Sequence, residues 1–301
     1  MSPLPDGAWV SPALTRPWRC DVAVLDVDGV LVDVEASFRE GVRVTVARVL
    51  GELGCTVWTP RVEDVRRLKR AGGFNDDIDT AIALTAVAAG GRTAELDAVA
   101  GDVERAGGGL GGLRLAAPDL PRIPGRLVLR VFNEHYWGLD GFRLRFGTEP
   151  EHDPPAGGLR AGETALVPPD FPALLREAGV VHVAVVSGRT PMELDAALEL
   201  LRWNRGELTA VVTGDQVRKP DPAALDLVVA ATAGRNLLYA GDVRDDWELV
   251  HRYREERDGT VHAVGVIVGD EAAALRELGC DATLPAATAL PALIARLRDE
   301  R

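Results

Sequence analysis

An apolar run, Val22 to Leu25, ends in Asp26-Val27-Asp28-Gly29-Val30, and this junction constrains the chain more than any other. Four apolar residues bounded by a glycine turn read as a buried strand. On a strand, residues two apart share a face, so Asp26 and Asp28 project together from its carboxyl end, where the chain turns at Gly29. Such a pair can hold a hard cation such as Mg2+ through oxygen ligands, while one carboxylate attacks an electrophile and the other carries a proton. An acidic loop closing a strand would read the same way if nothing else in the chain answered it.

Three later segments answer it. Val183 to Val186 run into Ser187-Gly188-Arg189, and a short strand from Ala210 to Thr213 is followed by Lys219-Pro220-Asp221-Pro222. Leu237 to Ala240 lead into Gly241-Asp242, with Asp245 and Asp246 just beyond. Each polar group falls at or beyond the carboxyl end of an apolar strand, where open α/β sheets bind ligands. Taken singly, Ser187 fits a turn, Lys219 a solvated loop, and Asp242 and Asp246 the start of a helix; their ordered coincidence selects the chemistry. Helical patterns at Pro191 to Arg202, Pro222 to Ala233 and Asp246 to Arg257 separate the strands, which predicts an α/β fold with a parallel sheet and helical crossovers. A fifth strand, Val261 to Val268, and an amphipathic helix, Pro291 to Arg298, complete the series.

In this order the segments resemble the four motifs of the haloacid dehalogenase superfamily of aspartyl-nucleophile phosphatases. Asp26 and Asp28 match the first motif, Ser187 the second, Lys219 the third, and Gly241-Asp242 with Asp246 the fourth. The resemblance implies a Rossmann-like parallel-sheet core with a helical cap inserted after the first motif, as in subfamily I. It implies that Asp26 is the nucleophile, forming an aspartyl-phosphate that water hydrolyses, and that Asp28 is the general acid and then the base. Mg2+ would be held by Asp26, the backbone carbonyl of Asp28 and Asp242, with Asp246 in support. Ser187 and the amide of Gly188 would bind phosphoryl oxygens, and Lys219 would neutralise charge on Asp26. Arg189 reads either as a substrate contact or as a surface ion pair. Gly72-Gly73-Phe74-Asn75-Asp76-Asp77 resembles a segment in the helical cap of a small subgroup, which implies a substrate contact for Asn75.

Between Asp33 and about Thr164 the periodicity becomes helical: Ser37 to Leu53, Thr59 to Arg70, Asp77 to Ala89 and Thr93 to Arg105. The expected division is therefore an N-terminal extension over 1–20, a catalytic core over 21–32 and 165–301, and a helical cap over 33–164. Gly107 to Gly112, running on to Pro124-Gly125, lies between helical patterns rather than between a strand and a helix, so it reads as a flexible connector and not as a phosphate cradle. Glu149 to Gly162 reads as part of the return hinge. The aromatic run from Phe132 to Trp137 reads as the anchor of a cap helix, with a substrate wall as its alternative.

Bulk properties narrow the function. A chain of 301 residues with 47% hydrophobic content can bury a substantial core and form two domains. No apolar stretch reaches the roughly 18 residues of a membrane span, and the proline-bearing N-terminus lacks a signal peptide's apolar run, so a cytoplasmic location with no membrane partner is expected. Cys20, Cys55 and Cys280 form neither a disulfide framework nor a zinc pair. None of His135, His152, His182, His251 and His262 makes a close His/His or His/Glu metal pair in the sequence, so all five read as surface or core residues. A net charge of −12 argues against nucleic acid as a partner. The expected function is a Mg2+-dependent phosphomonoester phosphatase acting on a small phosphorylated metabolite. A phosphomutase or phosphonate hydrolase on the same core, or a catalytically silent binding protein, are the alternatives.

Overall fold

The computed structural model describes residues 4–14, 17–257, 259–267 and 270–298. Its contacts divide the chain into two units, Met1–Asp33 with Thr164–Arg301, and Val34–Glu163. Strands β1 (Trp9–Val10), β2 (Val22–Leu25) and β3 (Val32–Asp33) come first. The second unit opens on a π-helical turn at Glu35–Arg39 and carries α1 (Glu40–Glu52), α2 (Val62–Arg70), α3 (Asp77–Ala89), α4 (Leu96–Arg105), α5 (Gly109–Ala116) and α6 (Gly125–Phe146). The chain then returns through β4 (Thr164–Ala165), α7 (Phe171–Glu177), β5 (His182–Val186), α8 (Pro191–Leu201), β6 (Ala210–Val212) and α9 (Ala223–Thr232). It closes with β7 (Asn236–Gly241), α10 (Arg244–Glu256), β8 (Thr260–Val266), α11 (Asp270–Glu277), β9 (Ala282–Leu284) and α12 (Leu290–Arg298). The expected end of the fifth strand, Val268, lies outside the described residues.

The first unit is built on a seven-stranded sheet in the order β1-β9-β8-β7-β2-β5-β6. β2 pairs in parallel with β5 on one side and β7 on the other, and β6, β8 and β9 continue the parallel set. All four residues of β2 are buried, because helices cover both faces of a parallel sheet and replace alternation with a continuous apolar run. Val24, Val186 and Tyr239 pack with Leu225 and Val228 of α9 and Leu249 of α10 in one core cluster. The stretch before Asp21, expected as an extension, contributes the sheet's edge: Trp9 stands opposite Thr283 in antiparallel pairing. Two residues of strand are too short to leave a periodic signal. β3 and β4 also pair antiparallel, so the chain leaves and re-enters this unit side by side.

The second unit is helical. α1 buries Val42, Val46, Val49 and Leu50 on one face, at the spacing of an amphipathic helix. The aromatic run falls in α6 with Phe132, Tyr136 and Trp137 buried, and the rings of Phe38 and Tyr136 lie 4.6 Å apart. Beside them the buried carboxylate of Glu134 accepts from the amides of Glu151 and His152 and lies 2.8 Å from Nδ1 of His152. Sequence separation hid this His/Glu contact, which packs the loop after α6 against the helix.

The glycine-rich stretch is a correction. Gly109 to Ala116 form a helix, α5, which buries Leu113, and the Gly109 amide donates to the Gly72 carbonyl at 2.9 Å. A β-carbon on Gly73 would lie 2.7 Å from the nitrogen of Gly109. The glycines are there for backbone-on-backbone contact between two loops, a use that composition alone does not separate from flexibility. Among the described residues, no helix is long and apolar enough to cross a membrane.

Candidate active site

From β2 the chain's crossovers run to β5 and β6 on one side and then to β7, β8 and β9 on the other. Connections that diverge from a central strand open a crevice at the strands' carboxyl ends. Asp26 follows β2 directly, Ser187 follows β5, and Asp242 follows β7, so three adjacent strands deliver three of the expected site residues to that crevice. After Asp26 the chain doubles back tightly: the Val27 carbonyl accepts from the amides of Leu31 and Val32, and Gly29 takes a positive φ of 74°.

Lys219 reaches this point from the loop after β6. Its Nζ lies 2.9 Å from Oδ1 of Asp26 and donates to Oδ1 of Asp246 at 2.7 Å, with all three side chains buried. Burial pulls the lysine's pKa down, yet Asp246 and Asp26 outweigh it and hold the ammonium charged, well above the usual range. For Asp26 the largest influence is also burial, which pushes its carboxyl up; Lys219 opposes this, while Asp246, Asp28 and Asp242 add to it. A buried carboxylate among three others thus lacks positive charge, beyond what one lysine supplies.

The donor set fits a hard cation. One carboxylate oxygen from each of Asp26, Asp242 and Asp246 lies within 4.8 Å of the others, and oxygen-only clusters suit Mg2+ rather than softer metals. The three are not equivalent. Asp246 accepts from Lys219 and from the Tyr239 hydroxyl, at 2.8 Å, through Oδ1, and from the amides of Asp242 and Val243, each at 3.2 Å, through Oδ2. Four donors use the lone pairs of both oxygens, so the hydrogen-bonding capacity of the Asp246 carboxylate is engaged by the protein.

Around the second motif, Ser187 is buried and Gly188 exposed in the turn between β5 and α8. The Ser187 Oγ accepts from the Arg189 amide at 3.2 Å, which keeps the hydroxyl hydrogen for another acceptor. Arg189 is not a surface pair: its side chain is fully buried, and Nε donates to Oδ1 of Asp28 at 2.8 Å. Asn75 lies in the second unit, half-buried in the loop between α2 and α3, between the buried Phe74 and Asp76, whose side chain caps α3 by accepting from Ile78.

Sequence reasoning missed Tyr239 and Glu193. Tyr239 is the polar-tipped residue of the apolar run Leu237 to Ala240, and a buried tyrosine hydroxyl needs a partner. Burial, then Asp246, push its pKa well up, so it stays a donor. Glu193 was visible as the acid of a Thr-x-x-Glu capping box: it accepts from the Thr190 amide and hydroxyl, each at 2.8 Å.

No family model matches the sequence, and no curated protein matches it. Solved structures do. A phosphatase, Tt82, from Thermococcus thioreducens is 30% identical, covers 83% of this chain and 93% of its own, and superposes with a TM-score of 0.59. CbbY from Rhodobacter sphaeroides, solved in complex with phosphate, is 16% identical over 89% of this chain and 95% of its own, with a TM-score of 0.51, and shares the fold. Four ordered motifs at the ends of a parallel sheet, joined to a phosphatase relative that spans most of the chain, establish kinship: this protein belongs to the haloacid dehalogenase superfamily, as a hydrolase of its phosphatase type.

Proposed function

We propose that the chain is a Mg2+-dependent phosphatase of small, cytoplasmic phosphorylated metabolites that works through an aspartyl-phosphate. The observation that carries the reading is the buried Lys219 bonded to both Asp26 and Asp246, with Asp242 in the same carboxylate cluster. Asp26 attacks phosphorus; as that P–O bond forms, the bond to the leaving alcohol breaks and Asp28 gives the departing oxygen a proton. Water then attacks the aspartyl-phosphate, Asp28 takes up a proton from it, and the bond between phosphorus and Asp26 breaks. Ser187 and the Gly188 amide donate to phosphoryl oxygens, and Lys219 balances charge between Asp26 and the phosphoryl group. When bound at Asp26, Asp242 and the Asp28 carbonyl, Mg2+ supplies the charge that lets a phosphate dianion approach this cluster. Asn75 contacts the part of the substrate beyond the phosphate.

Release of inorganic phosphate from an aryl phosphate tests the reading. Turnover with Mg2+, its loss with EDTA, and a fall of roughly 10³-fold or more in Asp26→Asn are expected. Undiminished turnover in Asp26→Asn would overturn the covalent route.

A further inference from the structure

We propose that Arg189 is a positioning residue for proton transfer, locking the Asp28 carboxylate so that one oxygen is held by protein and the other exchanges the proton. The inference rests on the acid–base reading of Asp28 given above and goes beyond it by assigning the group that makes Asp28 effective. Arg189 and Asp28 are 161 residues apart in sequence and come from different strand ends, β5 and β2.

The environment of Arg189 is that of a built-in part. Its side chain has no solvent exposure, whereas that of Asp28 is 30% exposed. A guanidinium is removed from water only where hydrogen bonds replace those it loses. Two of these are directed along different edges of its plane: Nε to Oδ1 of Asp28 at 2.8 Å, and Nη1 to the Glu193 carbonyl at 3.1 Å. Glu193 is itself fixed, because its side chain is bound by Thr190 at the start of α8. The first turn of a helix thus anchors one edge of the guanidinium, and the other edge orients Asp28. The arginine's own amide meanwhile binds Oγ of Ser187, so one residue sets both the expected proton carrier and the expected phosphate-binding hydroxyl.

With Oδ1 of Asp28 engaged, Oδ2 carries the proton that passes to the leaving oxygen as its bond to phosphorus breaks, and later receives one from water. A freely rotating aspartate would spend part of its time with neither oxygen placed, and general acid–base catalysis depends on that placement before anything else. Lysine cannot substitute, since a single ammonium on a flexible stem lacks the fixed fork that reaches Asp28 and the Glu193 carbonyl together.

The dependence of kcat/KM on leaving group is the measurement, over phosphomonoesters from dinitrophenyl phosphate to simple alkyl phosphates. Dinitrophenolate departs without a proton and an alkoxide does not. In Arg189→Met we expect a loss of about 10²-fold on alkyl phosphates, within the range of general acid catalysis, and less than about threefold on dinitrophenyl phosphate. In an Asp28→Asn background the same substitution should add nothing on either ester. Arg189→Lys, which keeps the charge but not the fork, should show the same steepened dependence in milder form, and it decides the matter if the methionine variant does not fold. An equal loss across the series, a loss that persists in Asp28→Asn, or a lysine variant with the parent's leaving-group dependence would each overturn the assignment. If the parent itself released no phosphate from any ester, the phosphatase reading would fail instead, so the two failures are distinguishable.

Discussion

Gly29 and Asp242 stand so close that a β-carbon on the glycine would lie 2.1 Å from Oδ2 of the aspartate. The turn after the first motif is therefore shaped around a carboxylate from the fourth. Gly29→Ala should displace Asp242 and add about 1–2 kcal/mol of backbone cost for a positive φ. With Asp242 a Mg2+ ligand as proposed, the expected result is a rise of about tenfold or more in the Mg2+ concentration giving half-maximal activity. Circular dichroism should change little. An unaltered Mg2+ titration in a folded variant would contradict the arrangement.

Tyr239→Phe removes one of four donors to Asp246 and nothing else of comparable size. A hydrogen bond to a charged group contributes about 1.5–3 kcal/mol, so urea unfolding should shift by that amount. Activity should fall with it, since Asp246 then holds Lys219 less firmly. A variant as stable as the parent would mean that the hydroxyl is not bonded to Asp246 in solution.

Acid should weaken the second unit through Glu134. Burial would push this carboxyl up, but the His152 ring and the amides of Glu151 and His152 outweigh burial and hold it below its ordinary value of 4.5. A carboxyl with a lowered folded pKa contributes stability that is fully present above the unfolded value and is lost as pH falls through the folded one. Glu134→Gln should therefore lower the melting temperature clearly at about pH 7, and the gap to the parent should close by about pH 3. A gap of constant size across that range would show that charge at Glu134 is not what stabilises the loop.

Asn75→Ala should discriminate between substrates. Losing one hydrogen bond to the substrate costs about 1.4 kcal/mol, or about tenfold in kcat/KM, and it should appear on the best metabolite of a phosphate-ester panel but not on an aryl phosphate. Equal effects on both, or none, would make the loop a turn and no more.

Much of this fold is written along the chain in one dimension. β2 declared itself by an unbroken apolar run, α3 occupies the expected Asp77–Ala89 from end to end, and Asp26, Lys219, Asp242 and Asp246 converge because each stands at or just past a strand end of one parallel sheet. What stayed hidden needed a second coordinate. The bonds from Arg189 to Asp28 and from Tyr239 to Asp246 join groups whose partners no local pattern names. Gly108 and Gly109 were misread because glycine marks both looseness and close approach, and only the facing Gly72 and Gly73 decide which. β1 escaped notice because its pairing with β9 spans nearly the whole chain.

The sheet order carries a consequence for how the protein is made. β2 emerges from the ribosome early, yet both its partners, β5 and β7, are encoded beyond residue 181. During synthesis, which proceeds at about 5–20 residues per second, the strand that leads into Asp26 must wait with the backbone groups of both edges unpaired while the helices of Val34–Glu163 assemble from contacts nearer in sequence. Interactions that span long stretches of chain form slowly. A ribosome stalled before residue 219 would thus hold a folded helical unit and an unfinished sheet, in which Asp26 has neither Lys219 nor Asp242 for company.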